Sequence, residues 1–462
     1  MAHHTVAVAD EQYEFKSQTK TKILYVLVAG IILFALGLFM AIRSGGHEAA
    51  GEGHHGAVSV TKDLVASADH DHGTVSHDSH GTKAAEHHEA VPDWKTRLFT
   101  TLWMNNTYFI GLGLIGLFFV AIQYAAQAGW SAGVIRVPLA MGSWIPVAGI
   151  LTLVLWFVTK HDIFHWTHGY LYEPGSGFDK IIAKKAPYFF WPLEAGGFPV
   201  FFIFRMVLFF GMWYMFFVWI RKNMLAEDLD NNVKYWYKNQ VLSTVFLIFF
   251  GVSSSVAAWD WVMSIDTHWF STMFGWYVFA SWWVTALAMI TLIVAYLKSA
   301  GYLKVVNSNH LHDLGKFVFA FSIFWTYIWF GQFLLIYYAN IPEETVYFIE
   351  RMRTSPYAWI FYTNLVLNFV LPFLLFMTRD AKRQISMLKF VCPIVIVGHW
   401  FDFYNMITPG VMKLNGSIGF LEIGVALIFF AAYLFVVLSS LSKVPLIGKN
   451  HPMLEESLHH HI

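Results

Sequence analysis

The residues able to do chemistry in this chain are the few ionisable side chains inside long apolar runs. Arg205, Asp260, His399, Asp402 and Glu422 lie within such runs, and Lys160 and His161 close another. A charge placed in hydrocarbon is costly unless it is paired, lines a polar cavity or has work to do. In residues 257–275, AAWDWVMSIDTHWFSTMFG, Asp260 stands between Trp259 and Trp261, and Asp266 and His268 follow with no Lys or Arg among them. Its partner must come from another segment. Arg205 sits at a matching depth in an antiparallel run, so the two either pin neighbouring helices or form a working carboxylate and its counter-ion. Ser253, Ala257, Asp260 and Ser264 follow i, i+4, i+7, i+11 spacing, a small polar stripe that admits close helix approach. Packing accounts for the serines and the alanine, but not for the aspartate.

His399 and Asp402 are i, i+3 neighbours on one helical face. A histidine beside a carboxylate passes protons near neutral pH, and the plainer expectation is a buried hydrogen-bonded pair. Haem ligation would need a facing histidine, available only from His161 and its neighbours. Glu422, at the start of the last run, is either a snorkelling interface residue or a member of a proton path.

The elements that must position these groups are membrane helices. Hydrophobic residues make up 57% of the 462 and charged residues 13%, against about 25% charged in soluble domains. The formal net charge is zero, which gives no footing for a nucleic-acid partner. Cys392 is the only cysteine, which excludes a disulfide framework or a cysteine-ligated cluster carried by this chain alone, and no metal site is expected.

Ten apolar runs are expected to span, near 22–42, 107–126, 138–158, 198–220, 239–264, 272–298, 315–339, 358–378, 386–405 and 417–440. The first follows Lys16, Lys20 and Lys22 and reads as a retained anchor. Short connections on the N-terminal side carry seventeen Lys and Arg against seven opposite, which puts both termini in the cytoplasm. The fold expected is an all-α polytopic membrane protein of ten helices. Spans 2–5 and 6–9 form two four-helix bundles, with spans 1 and 10 peripheral to them.

The repeat rests on Trp259-Asp260-Trp261 against Phe401-Asp402-Phe403, and on Asn106–Phe109 against Ser271–Phe274. The divisions are then 1–42, an N-terminus and first helix; 43–106, a His-rich outer loop; 107–264 and 265–405, the bundles; and 406–462, a last helix and tail. The His-rich loop has no fixed ligand spacing, and His459, His460 and His461 read as an ordinary tail. Residues 159–197 are rich in aromatics and read as an outer cap. Asp266, His268, Glu343, Glu344 and Arg351 gather as a mixed-charge outer surface suited to docking a protein partner.

AAWDWVMSIDTHWFSTMFGWY, the YYANIPEETVYF segment and the long loop after the first span resemble the NrfD/PsrC-like membrane subunits. The similarity is greatest to the F-subunit family (ActF) of bacterial alternative complex III, over nearly the whole chain. The resemblance implies a subunit of a respiratory quinol:cytochrome c (electron acceptor) oxidoreductase in the bacterial inner membrane. Its partners would be an NrfD-like C subunit, an iron–sulfur protein, c-type multihaem subunits and a terminal oxidase. Quinol or menaquinol would lie at or near the subunit, with lipids around it. This chain would hold no redox centre and would contribute scaffold and a proton path. The alternatives are a quinol site of its own at the outer face and, from another class, a secondary transporter.

Overall fold

The computed structural model describes residues 11–48, 93–175 and 177–461, the side chains of 44–48 excepted. The His-rich tract from residue 49 to 92 lies outside the described residues. Among the described residues, ten helices are long and apolar enough to cross a membrane, and the chain is a multi-pass membrane protein of all-α architecture. They are α1 (Ser17–Glu48), α2 (Trp94–Ala125), α3 (Arg136–Ile163), α5 (Val200–Leu229), α6 (Lys234–Trp261), α7 (Phe274–Ser299), α8 (Ser308–Ala339), α10 (Ser355–Leu375), α11 (Ile385–Met412) and α12 (Phe420–Leu441). Shorter helices α4 (Lys180–Phe190), α9 (Pro342–Arg353) and α13 (Leu454–Leu458) lie in connections and the tail.

Contacts close two rings of four. In the first, α2, α3, α5 and α6 each pack on the next and α6 returns to α2; in the second, α7, α8, α10 and α11 do the same. The rings join through α2 and α7, and each of these also packs on the last helix of the other ring. That arrangement buries α2 and α7 most deeply and is the layout of a parallel repeat. The repeat's second sequence match has the wrong register. Trp282 Nε1 donates to the Thr107 carbonyl at 3.1 Å, so Thr107 lies level with Trp282 and not with Thr272. Helix α2 also begins at Trp94, inside the stretch expected as loop to residue 106, with Asp93 accepting from the Trp94 N–H at 2.6 Å.

Helices α1 and α12 pair outside the rings, and α12 packs on α2. The pair crosses where a side chain would not fit: a Cβ on Gly37 would lie 2.2 Å from the Leu421 nitrogen, and one on Gly424 would lie 2.4 Å from that of Phe34.

The described ends of the chain meet on one face, called proximal here. Gln12 Nε2 donates to the Ser442 carbonyl at 2.9 Å and Leu446 N–H to that of Glu11 at 2.8 Å. The tail is not an ordinary one. His460 contacts Asp313 at 2.6 Å, Ser457 donates to the Trp130 carbonyl at 3.0 Å, and Asn450 donates to that of Glu227 at 2.9 Å. It thus ties both bundles together on the proximal face.

Prolines shape two helices where the site lies. Pro372 has no N–H for the Asn368 carbonyl, and α10 widens into a π turn over Val366–Val370. Pro409 likewise frees the Asn405 carbonyl in α11, which Arg351 Nε takes at 2.8 Å.

Candidate functional site: two buried carboxylates

Asp260 lies one residue from the distal end of α6 and is 1% exposed. Arg205, in the second turn of α5, meets it with both prongs, Nε to Oδ2 at 2.7 Å and Nη2 to Oδ1 at 2.9 Å. The third nitrogen, Nη1, donates to the Tyr188 carbonyl at 2.8 Å. The guanidinium lies over the rings of Tyr188 and Phe201, at 4.1 and 4.6 Å. Tyr188 comes from α4, which the stacking of Phe189 on Trp166 at 4.0 Å fixes beneath the aromatic cap. Arg205 and Asp260 therefore satisfy each other within a closed, desolvated fork. The small stripe is shorter than expected: α6 ends at Trp261, so Ser264 falls in the turn beyond it and donates to the Asp260 carbonyl at 2.6 Å, while Ser253 accepts from Trp213 Nε1 at 3.0 Å.

Among the described residues, Asp402 has no Lys or Arg partner. Tyr277 of α7 and Asn364 of α10 donate to Oδ1, the latter at 2.7 Å, and Ser281 and Trp325 Nε1 donate to Oδ2 at 2.6 and 2.9 Å. Asn368 of the π turn donates in turn to Asn364. His399 is not hydrogen-bonded to Asp402, because its Nδ1 stands 3.7 Å from Oδ2, beyond hydrogen-bond range. The imidazole is fully buried, edge-on to Trp325 at 5.3 Å, and neither ring nitrogen has a hydrogen-bond partner among the described residues. Ser322 Oγ and Gln332 Nε2, buried on α8, are likewise unpartnered. The second bundle thus holds a carboxylate in a cage of neutral donors, with an unengaged histidine beside it.

The remaining candidates separate from these two. Glu422 does not snorkel: it is 1% exposed, its oxygens are taken by Arg97 Nε and Nη2 at 2.7 and 2.8 Å, and it caps α12 by accepting the Gly419 N–H. His161 is exposed in the distal cap of the first bundle, 3.2 Å from Thr167 Oγ1 and with its ring 5.4 Å from that of His168. It therefore belongs to a different bundle from His399.

The expected docking surface is only half surface. Arg351 is 1% exposed and acts inside the molecule, holding Asp266 at 2.9 Å, the Asn405, Met406 and Tyr347 carbonyls, and the face of the Tyr347 ring. His268 and Glu343 are exposed, while Glu344 is half-buried and its carbonyl accepts from Trp269 Nε1. His268 contacts Asp179 at 2.5 Å. Burial pulls the Asp179 carboxyl upward, but the Ile182 and Ile181 N–H groups and the His268 ring outweigh it and hold it below its usual range. Beside these, Tyr337, Tyr338, Ile341, Val346 and Ile349 are exposed on the distal face.

A third cluster was missed in the sequence. At the proximal end of the first bundle, Gln123 Oε1, Tyr124 OH, Glu227 Oε1, Asn239 Nδ2 and Ser243 Oγ are buried with no hydrogen-bond partner among the described residues. Nearby, Arg136 reaches Asp228 at 2.6 Å. The signal was present as polar residues at helix ends, where falling hydropathy makes a run look finished. Between Ser243 and Ser253, about 15 Å of helix, the buried positions of α6 are Phe246 and Phe250. This cluster therefore does not join Asp260 along α6.

Among known proteins, no family model matches the chain and no curated protein matches it.

Proposed function

We propose that the chain is a membrane subunit of a quinol:electron-acceptor oxidoreductase complex, and that its own chemistry is proton movement through the second bundle. The family resemblance of the AAWDWVMSIDTHWFSTMFGWY and YYANIPEETVYF segments supports the first part. The observation that carries the second is Asp402, a carboxylate held only by neutral donors beside an unengaged histidine. Asp402 and His399 exchange the proton, Tyr277, Ser281, Trp325 and Asn364 hold the carboxylate, and Asn368 extends the hydrogen bonds through Asn364. Arg205 with Asp260, and Arg97 with Glu422, serve as scaffold. The complex supplies the redox groups: an NrfD-like C subunit, an iron–sulfur protein and multihaem c-type subunits. His268, Glu343 and the exposed aromatic and aliphatic side chains around α9 form the docking face. The Lys and Arg bias supports a cytoplasmic proximal face, and the family resemblance supports a bacterial inner membrane. His399, with both ring nitrogens unpartnered, also favours a second reading, in which the same cluster takes the protons of a quinol.

Purification of the tagged chain from native membranes tests the complex. Multihaem and iron–sulfur subunits should accompany it, and a chain that purifies alone would remove the assignment. Asp402→Asn in that complex tests the chemistry. Proton movement lost at unchanged quinol affinity supports the path, lost quinol binding moves the assignment to the second reading, and no change in either removes both.

A further inference from the structure

A cleft of about 940 Å³ opens between α12 on one side and α7 and α11 on the other, with Tyr108, Phe109 and Leu112 of α2 as its floor. One wall is a stripe on α12, Ile423, Ala426, Leu427, Phe430, Leu434 and Leu438, which follows the helix for about 22 Å. Half of a bilayer's hydrocarbon is about 15 Å thick, so the cleft takes a whole leaflet's depth of chain. The polar side chains of the lining collect at the proximal mouth, where Glu14, Lys16, Thr19 and Lys22 face it.

The N-terminal segment is fastened across that mouth. Tyr13 packs edge-on to Tyr302 at 5.4 Å, the Glu14 N–H donates to Tyr302 OH, and Phe15 meets Phe435 at 5.7 Å. Lys20 lies over Phe15 and Lys389 over Tyr296, itself part of the lining. Among the described residues no carboxylate pairs with Lys16, Lys20 or Lys22, which leaves a net positive ring around one acidic residue. Deeper in the cleft, the two residues with polar tips are already engaged: Tyr108 OH donates to the Ile396 carbonyl at 2.7 Å and Trp400 Nε1 to Asn105 at 2.9 Å. The interior therefore offers no free donor to a quinone carbonyl.

We propose that this cleft is a binding site for one anionic phospholipid of the leaflet on the proximal side. The phosphate sits at Lys16 and Lys22, and the acyl chains run along the α12 stripe. The charge at the mouth selects the headgroup and the apolar walls accept the tails.

The protein, in its complex if it purifies in one, is extracted in mild detergent and its retained lipids are identified by native mass spectrometry. Phosphatidylglycerol and phosphatidylethanolamine vesicles then serve as competitors. The expected result is one retained phosphatidylglycerol- or cardiolipin-class lipid. A lysine near a charged headgroup contributes roughly five-fold, so the double variant Lys16→Ser/Lys22→Ser lowers retention roughly thirty-fold. Ala426→Trp, which fills the cleft without touching the lysines, also abolishes retention. Thermal unfolding of each variant shows that it is folded. Retention of phosphatidylethanolamine equal to that of phosphatidylglycerol, retention of a quinone instead, or anionic lipid retained undiminished by either folded variant would each overturn the proposal.

Discussion

Asp260 and Asp402 occupy matching slots. Each lies toward the distal end of the last helix of its bundle and faces the third helix, which offers Arg205 in one case and Asn364 in the other. The difference in that one partner changes the whole site. A guanidinium closes on its carboxylate from two directions and leaves no oxygen to spare. An amide supplies one hydrogen bond, and the cage must be completed by Tyr277, Ser281 and Trp325 from two further helices. The first slot suits a fixed structural pair, and the second suits a group that changes state without collapsing its surroundings.

The sharpest way to break this contrast is to strip the first slot. Arg205→Ala leaves Asp260 buried and unpaired, and should cost about 3–5 kcal/mol in unfolding free energy. The double change Arg205→Met/Asp260→Leu should recover most of that in the same denaturation measurement. If the single variant unfolds like the parent, the pair is not structural. Arg351→Ala comes next. It frees the Asn405 carbonyl that Pro409 already denies a helical partner, as well as Asp266, and should cost about 2–4 kcal/mol.

Asp402→Asn should be milder, about 1–2 kcal/mol, because its donors are neutral and the amide oxygen still accepts from some of them. A loss as large as that of Arg205→Ala would mean that the second carboxylate, too, is chiefly structural.

A pH-dependent effect concerns the tail that joins the bundles. Burial, and then the charge of Arg136, push the His451 imidazole down to about 4 from its usual 6.5, and its Nδ1 accepts the Met453 N–H at 3.2 Å. The docked tail thus keeps His451 neutral while the free tail takes up a proton below pH 6.5. Docking is fully stabilised above 6.5, weakens as pH falls from 6.5 to 4, and changes no further below 4 on this account. Hydrogen exchange of residues 442–461 should rise across that window, and His451→Gln should flatten the response.

The fold was legible because ten apolar runs leave few alternatives, and the Arg205–Asp260 pair because so few charges lie within those runs. What was not legible depended on distant partners. The segment before residue 107 reads as loop because Arg97 is charged, and nothing in it announces Glu422, which neutralises it. His399 and Asp402 are correctly spaced on one face, yet three other helices satisfy Asp402 before the imidazole can. Arg351 looked like a surface charge, although a signal was available: Pro409 guarantees an unclaimed carbonyl at Asn405, and an arginine is well shaped to take it. The repeat's short second match misled because Thr and Phe recur by chance in apolar runs. The Asp-centred match held because a buried carboxylate is rare.

The most direct test of the contrast is difference infrared spectroscopy of the carboxyl bands in the purified protein, recorded across pH and on quinol addition. Asp260→Asn and Asp402→Asn serve as the assigning variants. The expected result is a carboxyl signal that vanishes in Asp402→Asn and persists in Asp260→Asn. A signal that vanishes in Asp260→Asn, or survives in both, would contradict it.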